Sequence, residues 1–288
     1  MRIGCLVNSC PGKNPNYIHT IRSQMSSGRY ARQEALDRIG KEGQRKIRGS
    51  SVVIVGCGAL GSSSADLLAR AGIGELVLVD HDVVDLVNIH RQRYYERNVG
   101  TPKVEALAEH LRGVNSEVRI KPFYTSFSPK NAEEMVKKGD IVLDGCDNME
   151  TRFVINDAAF KSSIPWVYGG AVGVEGLFAL FVPPKPCFRC LFPSPPPPGS
   201  LDTCARVGIL NTLPAAIATK EVTFVLQYIL GERRTGQLIS FNAWNMELTK
   251  VPFKQRKNCG CCGKKSYDFL GNGIKNQTSP TRSGRKRQ

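Results

Sequence analysis

Two Cys-x-x-Cys pairs place the strongest constraint on how this chain can fold. Cys187 and Cys190 form the first pair, and Cys259 and Cys262 form the second, 72 positions further along the chain. Two pairs of cysteines with this spacing are a common ligand set for one tetrahedral zinc ion. Cys261 is an alternative fourth ligand, although the x-x spacing favours Cys262. The sequence therefore predicts that two distant segments meet at a closed, structural zinc site.

The composition is that of a large globular protein. The chain has 288 residues, of which 41% are hydrophobic, and no run approaches the roughly 20 apolar residues that a membrane span needs. The short apolar stretch at the start does not have the form of a signal peptide. We therefore expect a cytoplasmic protein with no membrane partner, whose ten cysteines serve metal binding or reactivity rather than disulfides.

Positive charge is concentrated at the two ends of the chain. Residues 1–50 carry ten Lys and Arg against three Asp and Glu, and residues 254–288 carry ten against one. These ends could steer an acidic protein partner or, less favourably, a nucleic acid. We expect an N-terminal extension over residues 1–27, a folded domain over residues 28–263 and a basic, disordered tail over residues 264–288.

The hydrophobic pattern changes between the two halves of the chain. In the first half, short β-branched runs such as Ser51–Val55, Leu76–Val79 and Ile141–Leu143 alternate with helical segments. This alternation is typical of a parallel sheet with right-handed crossovers. In the second half, four predicted strands have few helices between them: Trp166–Val172, Gly176–Val182, Leu238–Phe241 and Met246–Val251. The sequence thus predicts an α/β fold with helices packed on a sheet.

A glycine-rich loop follows the first predicted strand. Its residues include Gly56, Gly58, Ala59 and Gly61, and it opens a helix. Glycines permit a tight turn and close backbone approach, and the helix N-terminus then offers free N–H groups to a phosphate. Asp80 ends the second strand, where an acid commonly binds the ribose of a nucleotide.

Polar residues cluster after the predicted strand ends, where open α/β sheets bind their ligands. They are Asp82, Asn88, Arg91, Gln92, Lys103, Asp147 and Asn148. Arg91 and Lys103 would neutralise a triphosphate, and Asp147 is a suitable ligand for Mg²⁺. An alternative is a dinucleotide-dependent oxidoreductase with a structural zinc, but such an enzyme has little use for these three residues. A non-catalytic scaffold or nucleic-acid-binding module is a third possibility.

The order of the motifs resembles the ThiF/MoeB/HesA family of adenylating enzymes, which share their fold with ubiquitin-activating enzymes. The matching segments are RYARQ (29–33), GCGALG (56–61), LVDHDVVDLVNIHRQ (78–92), GTPK (100–103), DGCDN (144–148), CFRC (187–190), DTC (202–204) and CGCC (259–262). The resemblance implies a Rossmann-like single continuous sheet, parallel in its first half and antiparallel in its second, with helices on both faces. It also implies a homodimer.

The resemblance implies a reaction as well. Such enzymes use MgATP to adenylate the C-terminal glycine of a ubiquitin-like or sulfur-carrier protein that ends in Gly-Gly. By motif, Asp80 resembles the ribose ligand and Asp147 the acid associated with Mg²⁺. Arg91 and Lys103 resemble the phosphate-binding cations. Arg32 resembles an arginine that reaches into the active site of the neighbouring protomer.

The resemblance also bears on Cys204 and Ala59. Cys204 lies where some family members form a thioester or acyl-disulfide with the activated protein, although a passive loop cysteine is the alternative. Ala59 stands where the family often has glycine. Because alanine disfavours a positive φ, we expect the loop to adopt its shape without one at that position.

Overall fold

The computed structural model describes residues 28–197, 200, 202 and 204–271. Their strands form one eight-stranded sheet in the order β3-β2-β1-β4-β5-β6-β7-β8. The strands are β1 (Ser51–Val55), β2 (Glu75–Asp80), β3 (Arg119–Tyr124), β4 (Ile141–Asp144), β5 (Trp166–Val172), β6 (Glu175–Phe181), β7 (Gln237–Asn242) and β8 (Glu247–Pro252). Neighbours from β3 to β5 pair in parallel, and those from β5 to β8 pair antiparallel. The predicted single mixed sheet is confirmed.

Helices connect the parallel strands and cover the sheet. They are α1 (Ala31–Glu34), α2 (Gly40–Gly49), α3 (Ala59–Ala71), α4 (Lys103–Val114), α5 (Ala132–Val136), α6 (Met149–Lys161), α7 (Phe188–Leu191), α8 (Cys204–Val207) and α9 (Thr212–Ile229). Short 3-10 turns occur at Leu86–Asn88, Glu96–Asn98 and Asp268–Leu270. The long predicted helix at 213–230 corresponds to α9 within one residue at each end.

The side chains of β1 alternate between two hydrophobic cores. Val52 and Ile54 pack into the core formed with α3, α4 and α9, while Val53 and Val55 pack into the core formed with α6. All four side chains are essentially fully buried. A strand covered on both faces has no solvent-facing positions, which is why its sequence is an unbroken apolar run.

The packed part of the chain continues past the predicted boundary at Gly263. The ring of Phe269 lies 4.7 Å, centroid to centroid, from that of Phe153 in α6. The backbone N–H of Phe269 also donates to Asp157 at 3.2 Å. Residues 264–271 are therefore part of the folded body, whereas residues 1–27 and 272–288 lie outside the described residues.

In the described residues, no helix combines the length and the apolar character that crossing a bilayer requires.

Candidate active site

The glycine loop lies against the segment that follows β4. Gly56 adopts a φ of +89°, and a Cβ added to it would lie 2.6 Å from the carbonyl of Gly145. A Cβ on Gly61 would lie 1.9 Å from the Gly56 carbonyl oxygen. Neither position accepts a side chain, so glycine is required for the close contact of these two turns.

Gly58 and Ala59 mark the transition from the loop into α3. Gly58 immediately precedes α3, which begins at Ala59. Positive φ angles occur at Gly56 but not at Ala59. Alanine therefore fits this position without backbone strain, as expected from the sequence, and its presence leaves the amino end of α3 intact.

Asp80 is a buried carboxylate that braces the loop. One of its oxygens accepts the backbone N–H of Cys57 at 2.6 Å, and the other accepts the N–H of Asp82 at 2.8 Å. The side chain thus connects the end of β2 to the glycine loop on β1. The predicted role of Asp80 as a ribose ligand stays a prediction.

Lys103 and Asp82 form an ion pair at the same edge of the sheet. The Lys103 Nζ atom lies 2.7 Å from Asp82 Oδ2, and only 7% of the Lys103 side chain is exposed, against 53% for Asp82. Lys103 is the first residue of α4, and its backbone N–H donates to the Asp82 carbonyl at 2.9 Å. A buried cation is therefore held beside the loop with its partner facing solvent.

Arg91 and Gln92 follow the 3-10 turn at Leu86–Asn88. Arg91 Nη2 donates to Asn88 Oδ1 at 2.7 Å. Gln92 is buried beside the loop, since its Nε2 atom lies 3.8 Å from where a Gly58 Cβ would be. Its Oε1 atom has no hydrogen-bond partner within the described residues.

Tyr94 contacts the glycine loop, a role that was not predicted from the sequence. Its hydroxyl donates to the Cys57 carbonyl at 2.6 Å. Burial raises the pKa of Tyr94, so the hydroxyl stays a hydrogen-bond donor at neutral pH. The only feature of the sequence that pointed to Tyr94 was its position in the Arg93-Tyr94-Tyr95 segment, between the predicted phosphate-binding residues Arg91 and Lys103.

Asp147 and Asn148 are exposed at the carboxyl end of β4. Asn148 caps α6, because its Oδ1 accepts the N–H of Thr151 at 2.9 Å. Asn148 Nδ2 also lies 3.4 Å from Asp147 Oδ1. The cap fixes this turn and leaves the Asp147 carboxylate at the surface of the edge.

Arg152 is a second residue whose place at the site was not predicted from the sequence. Its Nε donates to Asp144 Oδ2 at 2.8 Å, and its Nη2 donates to the carbonyls of Cys146 and Gly169. Burial raises the pKa of Asp144, and the charge of Arg152 opposes that shift. Arg152 thus links the end of β4 to the middle of β5 and to the turn that precedes Asp147.

The strand order explains which predicted residues come together. Strands β2, β1 and β4 are neighbours, so the segments after them share one edge: the glycine loop, Asp80 to Lys103, and Asp144 to Asn148. Arg32 lies elsewhere. The adjacent Gln33 donates to the carbonyl of Ala71, at the far end of α3 from the loop. That helix has 13 residues, so the two ends are about 20 Å apart.

The two cysteine pairs meet in one buried cluster. Cys187 Sγ lies 4.0 Å from Cys190 Sγ and 3.5 Å from Cys259 Sγ, and Cys190 Sγ lies 3.4 Å from Cys262 Sγ. All four sulfur atoms lie within 4.8 Å of one another. Four sulfurs around tetrahedral zinc stand about 3.8 Å apart, given a Zn–S bond of about 2.3 Å. The set fits a zinc ion with Cys262, rather than Cys261, as the fourth ligand.

Cys204 begins the short helix α8, but its side chain lies outside the described residues. The proposed covalent role therefore stays a prediction.

Comparison with known proteins decides the family. The ThiF family model matches residues 30–262. The chain belongs to the ThiF family. The SAMP-activating enzyme E1 of Haloferax volcanii is 38% identical over 245 residues, which cover 84% of this chain and 91% of that protein. The sulfur carrier protein ThiS adenylyltransferase of Bacillus subtilis is 37% identical over 258 residues, which cover 88% and 76%.

A crystal structure of E. coli MccB with ATP supports the fold of this ThiF-family chain. It superposes with a TM-score of 0.71 at 22% identity, covering 86% of this chain and 80% of that one. At this identity the likeness concerns the fold alone. The relatives bear the names of activating enzymes and adenylyltransferases, which favours the adenylating interpretation over the oxidoreductase.

Proposed function

We propose that this protein adenylates the C-terminal glycine of a ubiquitin-like or sulfur-carrier protein, using ATP and releasing pyrophosphate. The observation that carries the proposal is the meeting of the glycine loop, the buried Lys103 cation and the Asp147 turn at one sheet edge in a ThiF-family chain. The relatives named above act in the same chemical class.

The reaction joins two anions, which sets what the site must do. A carboxylate oxygen of the carrier attacks the α-phosphorus of ATP, the bond to the β-phosphate breaks, and pyrophosphate leaves with its electrons. Lys103 and Arg91 stabilise the negative charge that grows on the phosphates. The N–H groups at the start of α3 add a partial positive charge close to them.

Asp147 supplies the exposed carboxylate oxygen that a Mg²⁺ ion carried by ATP would bind, with Asn148 holding its turn. Mg²⁺ held there would neutralise part of the charge of the phosphates. In our proposal Asp80 keeps the loop in its binding shape while one of its oxygens faces the ribose. Asp82 orients Lys103 and Asn88 orients Arg91, while Gln92 lies beside Gly58 of the loop.

The proposal includes a homodimer. Arg32 is exposed and belongs to a helix packed at the opposite end of α3 from the glycine loop of its own protomer. A two-fold arrangement would bring each Arg32 to the partner's ATP phosphates, so that each site needs both subunits. The cysteine cluster, with no open coordination position, would hold zinc for structure and not for catalysis.

A later covalent step at Cys204 is part of the proposal. The Cys204 thiolate would attack the carbonyl carbon of the acyl-adenylate, a thioester would form, and AMP would leave. We also propose a reducing, cytoplasmic setting, in keeping with the seven cysteines among the described side chains, none of which forms a disulfide. The alternative is that the Cys204 thiol has no function in the reaction.

Intact-mass spectrometry tests the proposal. The protein is incubated with MgATP and candidate carriers that end in Gly-Gly, with each carrier lacking its last glycine as the matched control. We expect AMP added only to full-length carrier, and an enzyme–carrier adduct that Cys204→Ala abolishes. If neither a carrier nor the enzyme gains mass with any Gly-Gly protein, the proposed activity is wrong; an adduct in Cys204→Ala removes the covalent role alone.

A further inference from the structure

Asn156 of α6 is fully buried and forms hydrogen bonds with both segments that carry the cysteine pairs. Its Oδ1 accepts the backbone N–H of Phe188, which lies inside the first Cys-x-x-Cys pair, at 2.9 Å. Its Nδ2 donates to the Sγ of Cys261, which lies inside the second pair, at 3.3 Å. One side chain thus spans the two segments that carry the four thiolates.

The neighbouring Asp157 completes a polar network around the cluster. It is also fully buried, and its carboxylate accepts Nη1 of Arg189 at 3.0 Å and Nδ2 of Asn156 at 3.1 Å. Arg189, inside the first pair, reaches Asp268 with Nη2 at 2.7 Å. A Cβ on Gly260 would lie 2.5 Å from the same Arg189 nitrogen. Segments 187–190 and 259–270 are therefore held together by protein groups.

Burying an amide and a carboxylate in a core costs free energy unless their hydrogen bonds are made. Here those bonds fix the distance between two segments that are far apart in sequence. Fixing the ligands before the metal binds reduces the entropy that metal binding must overcome, as preorganised sites do.

Cys261 is a second candidate for the fourth metal ligand, beside Cys262. It is fully buried next to Cys262, and yet it lies outside the set of four sulfurs that are close to one another. The Asn156 amide donates to its Sγ, and the same sulfur interacts with Asp157 and with Cys187. Asn156 thus holds the segment of the second pair through a cysteine that lies beside the four close sulfurs.

We propose that Asn156 is the positioning residue of the four-cysteine metal site. Its bonds to Phe188 and Cys261 hold the two cysteine segments at the separation that a tetrahedral ion requires, with Cys262 placed as the fourth ligand. This inference does not depend on the proposed adenylation activity, because it concerns metal binding alone.

The test compares zinc affinity in Asn156→Ala with that in a matched variant, Asn115→Ala. Asn115 is also a buried bridging amide, bonded to the Tyr30 hydroxyl and the Ala69 carbonyl, but it lies away from the cysteines. Competition with a chromophoric chelator gives the zinc dissociation constant of each purified protein. We expect Asn156→Ala to weaken zinc binding by about 10- to 100-fold, as loss of an outer-shell partner does, and Asn115→Ala to leave it within about twofold of native.

Cobalt substitution adds a readout that a loss of stability would not change. The intensity of the thiolate-to-cobalt charge-transfer band reports the number of thiolate ligands. Cys261→Ala should keep the four-thiolate spectrum, whereas Cys262→Ala should lose one thiolate. Native zinc affinity in Asn156→Ala, or a thiolate lost in Cys261→Ala, would overturn the proposal.

If Asn156→Ala does not fold, a milder pair of variants answers the same question. Cys261→Ala removes the acceptor of the Asn156 amide, and Cys261→Ser restores an acceptor of similar size. We expect weaker zinc binding in the alanine variant and recovery in the serine variant. Equal affinities in the two would reject the positioning role.

Discussion

The backbone N–H of Cys57 donates to the Asp80 carboxylate at 2.6 Å, across the junction between the end of β2 and the glycine loop. This contact gives Asp80 a structural task before any nucleotide arrives. If Asp80 only binds nucleotide, its replacement should not change stability in the absence of ATP. If Asp80 also holds the loop, its replacement should lower stability even without ATP.

Asp80→Asn should therefore lower stability without nucleotide as well as ATP affinity. An amide group can accept only one of the two N–H bonds that the carboxylate accepts now, and one buried donor left unpaired costs about 1–3 kcal/mol. We expect a melting temperature lower by about 2–10 °C for a domain of this size. Asp147→Asn, at an exposed position, is the control and should melt like the native protein. An unchanged melting temperature in Asp80→Asn would leave Asp80 only a ligand role.

Subunit complementation tests whether Arg32 acts across a dimer. Arg32→Ala and Lys103→Ala should each abolish carrier-dependent adenylation. After the two are mixed and allowed to exchange subunits, half of the dimers contain one site with Lys103 in one protomer and Arg32 in the other. We expect recovery of about a quarter of native activity, from dimer statistics. A mixture of Lys103→Ala with the Arg32→Ala, Lys103→Ala double variant should stay inactive, and no recovery in the first mixture would refute action in trans.

Removal of metal should destabilise the whole chain, because the cysteine cluster joins residues 187–190 to residues 259–262. We expect a strong zinc chelator to lower the melting temperature by at least about 5 °C, since each kcal/mol lost shifts it by about 2–4 °C. Added zinc should restore it. Cys146→Ala, which changes a thiol outside the cluster, should respond to chelation as the native protein does. A melting temperature that is insensitive to chelation, in protein shown to contain zinc, would contradict the structural role.

Glu221 predicts a specific pH dependence. Its carboxyl is fully buried on α9, and neither oxygen makes a regular hydrogen bond within the described residues. An interaction with the Ser64 hydroxyl acts to lower the pKa of Glu221, but by less than burial raises it. Burial, followed by the charge of Asp144, raises the pKa of Glu221 well above its usual range. The neutral form is therefore the one that the fold favours.

The raised pKa of Glu221 determines how the stability of the protein changes with pH. Stability from a neutral Glu221 is complete below the unfolded pKa of about 4.3 and is lost as pH rises toward the folded pKa. Glu221→Gln removes this loss, so its stability advantage over the native protein should grow by at most about 1.4 kcal/mol for each pH unit. Guanidinium denaturation at pH 5, 6, 7 and 8 measures the difference. A difference that stays constant over this range would show that Glu221 is not held neutral.

The central parallel strands β1, β2 and β4 were predictable because burial on both faces makes their sequences unbroken apolar runs. Ser51–Val55 and Trp166–Val172 have the predicted bounds, and the other predicted strands agree within two residues. Ser51–Val55 and Trp166–Val172 are each followed by a glycine, Gly56 and Gly173, where the chain turns. The edge strand β3, which the sequence predicts at Val118–Pro122, was harder to delimit, because its side chains are only partly buried or exposed.

The residues that sequence reasoning missed depend on contacts between distant segments. Arg152 has no special context along the chain, since its partners include the carbonyl of Gly169 in β5. Asn156 looks like an ordinary helical residue until the two cysteine pairs surround it. Phe269 lies in a stretch rich in Gly, Lys and Asn, and that composition concealed its packing against Phe153.

The same limit applies to the predicted site. The glycine loop, Asp80 and Lys103 follow strand ends, so the rule for parallel sheets brings them together. Arg32 follows no strand of this sheet, and its predicted role rests on a partner subunit. The side chain of Cys204 lies outside the described residues, so its predicted role rests on the sequence alone.

ATP–pyrophosphate exchange is the most direct measurement of the central claim. With a Gly-Gly carrier, MgATP and labelled pyrophosphate, we predict label in ATP that is lost when the terminal glycine is removed and falls at least about 100-fold in Lys103→Ala, as loss of a group that stabilises transition-state charge does. Exchange that is equally fast without carrier, or unchanged in Lys103→Ala, would contradict the account.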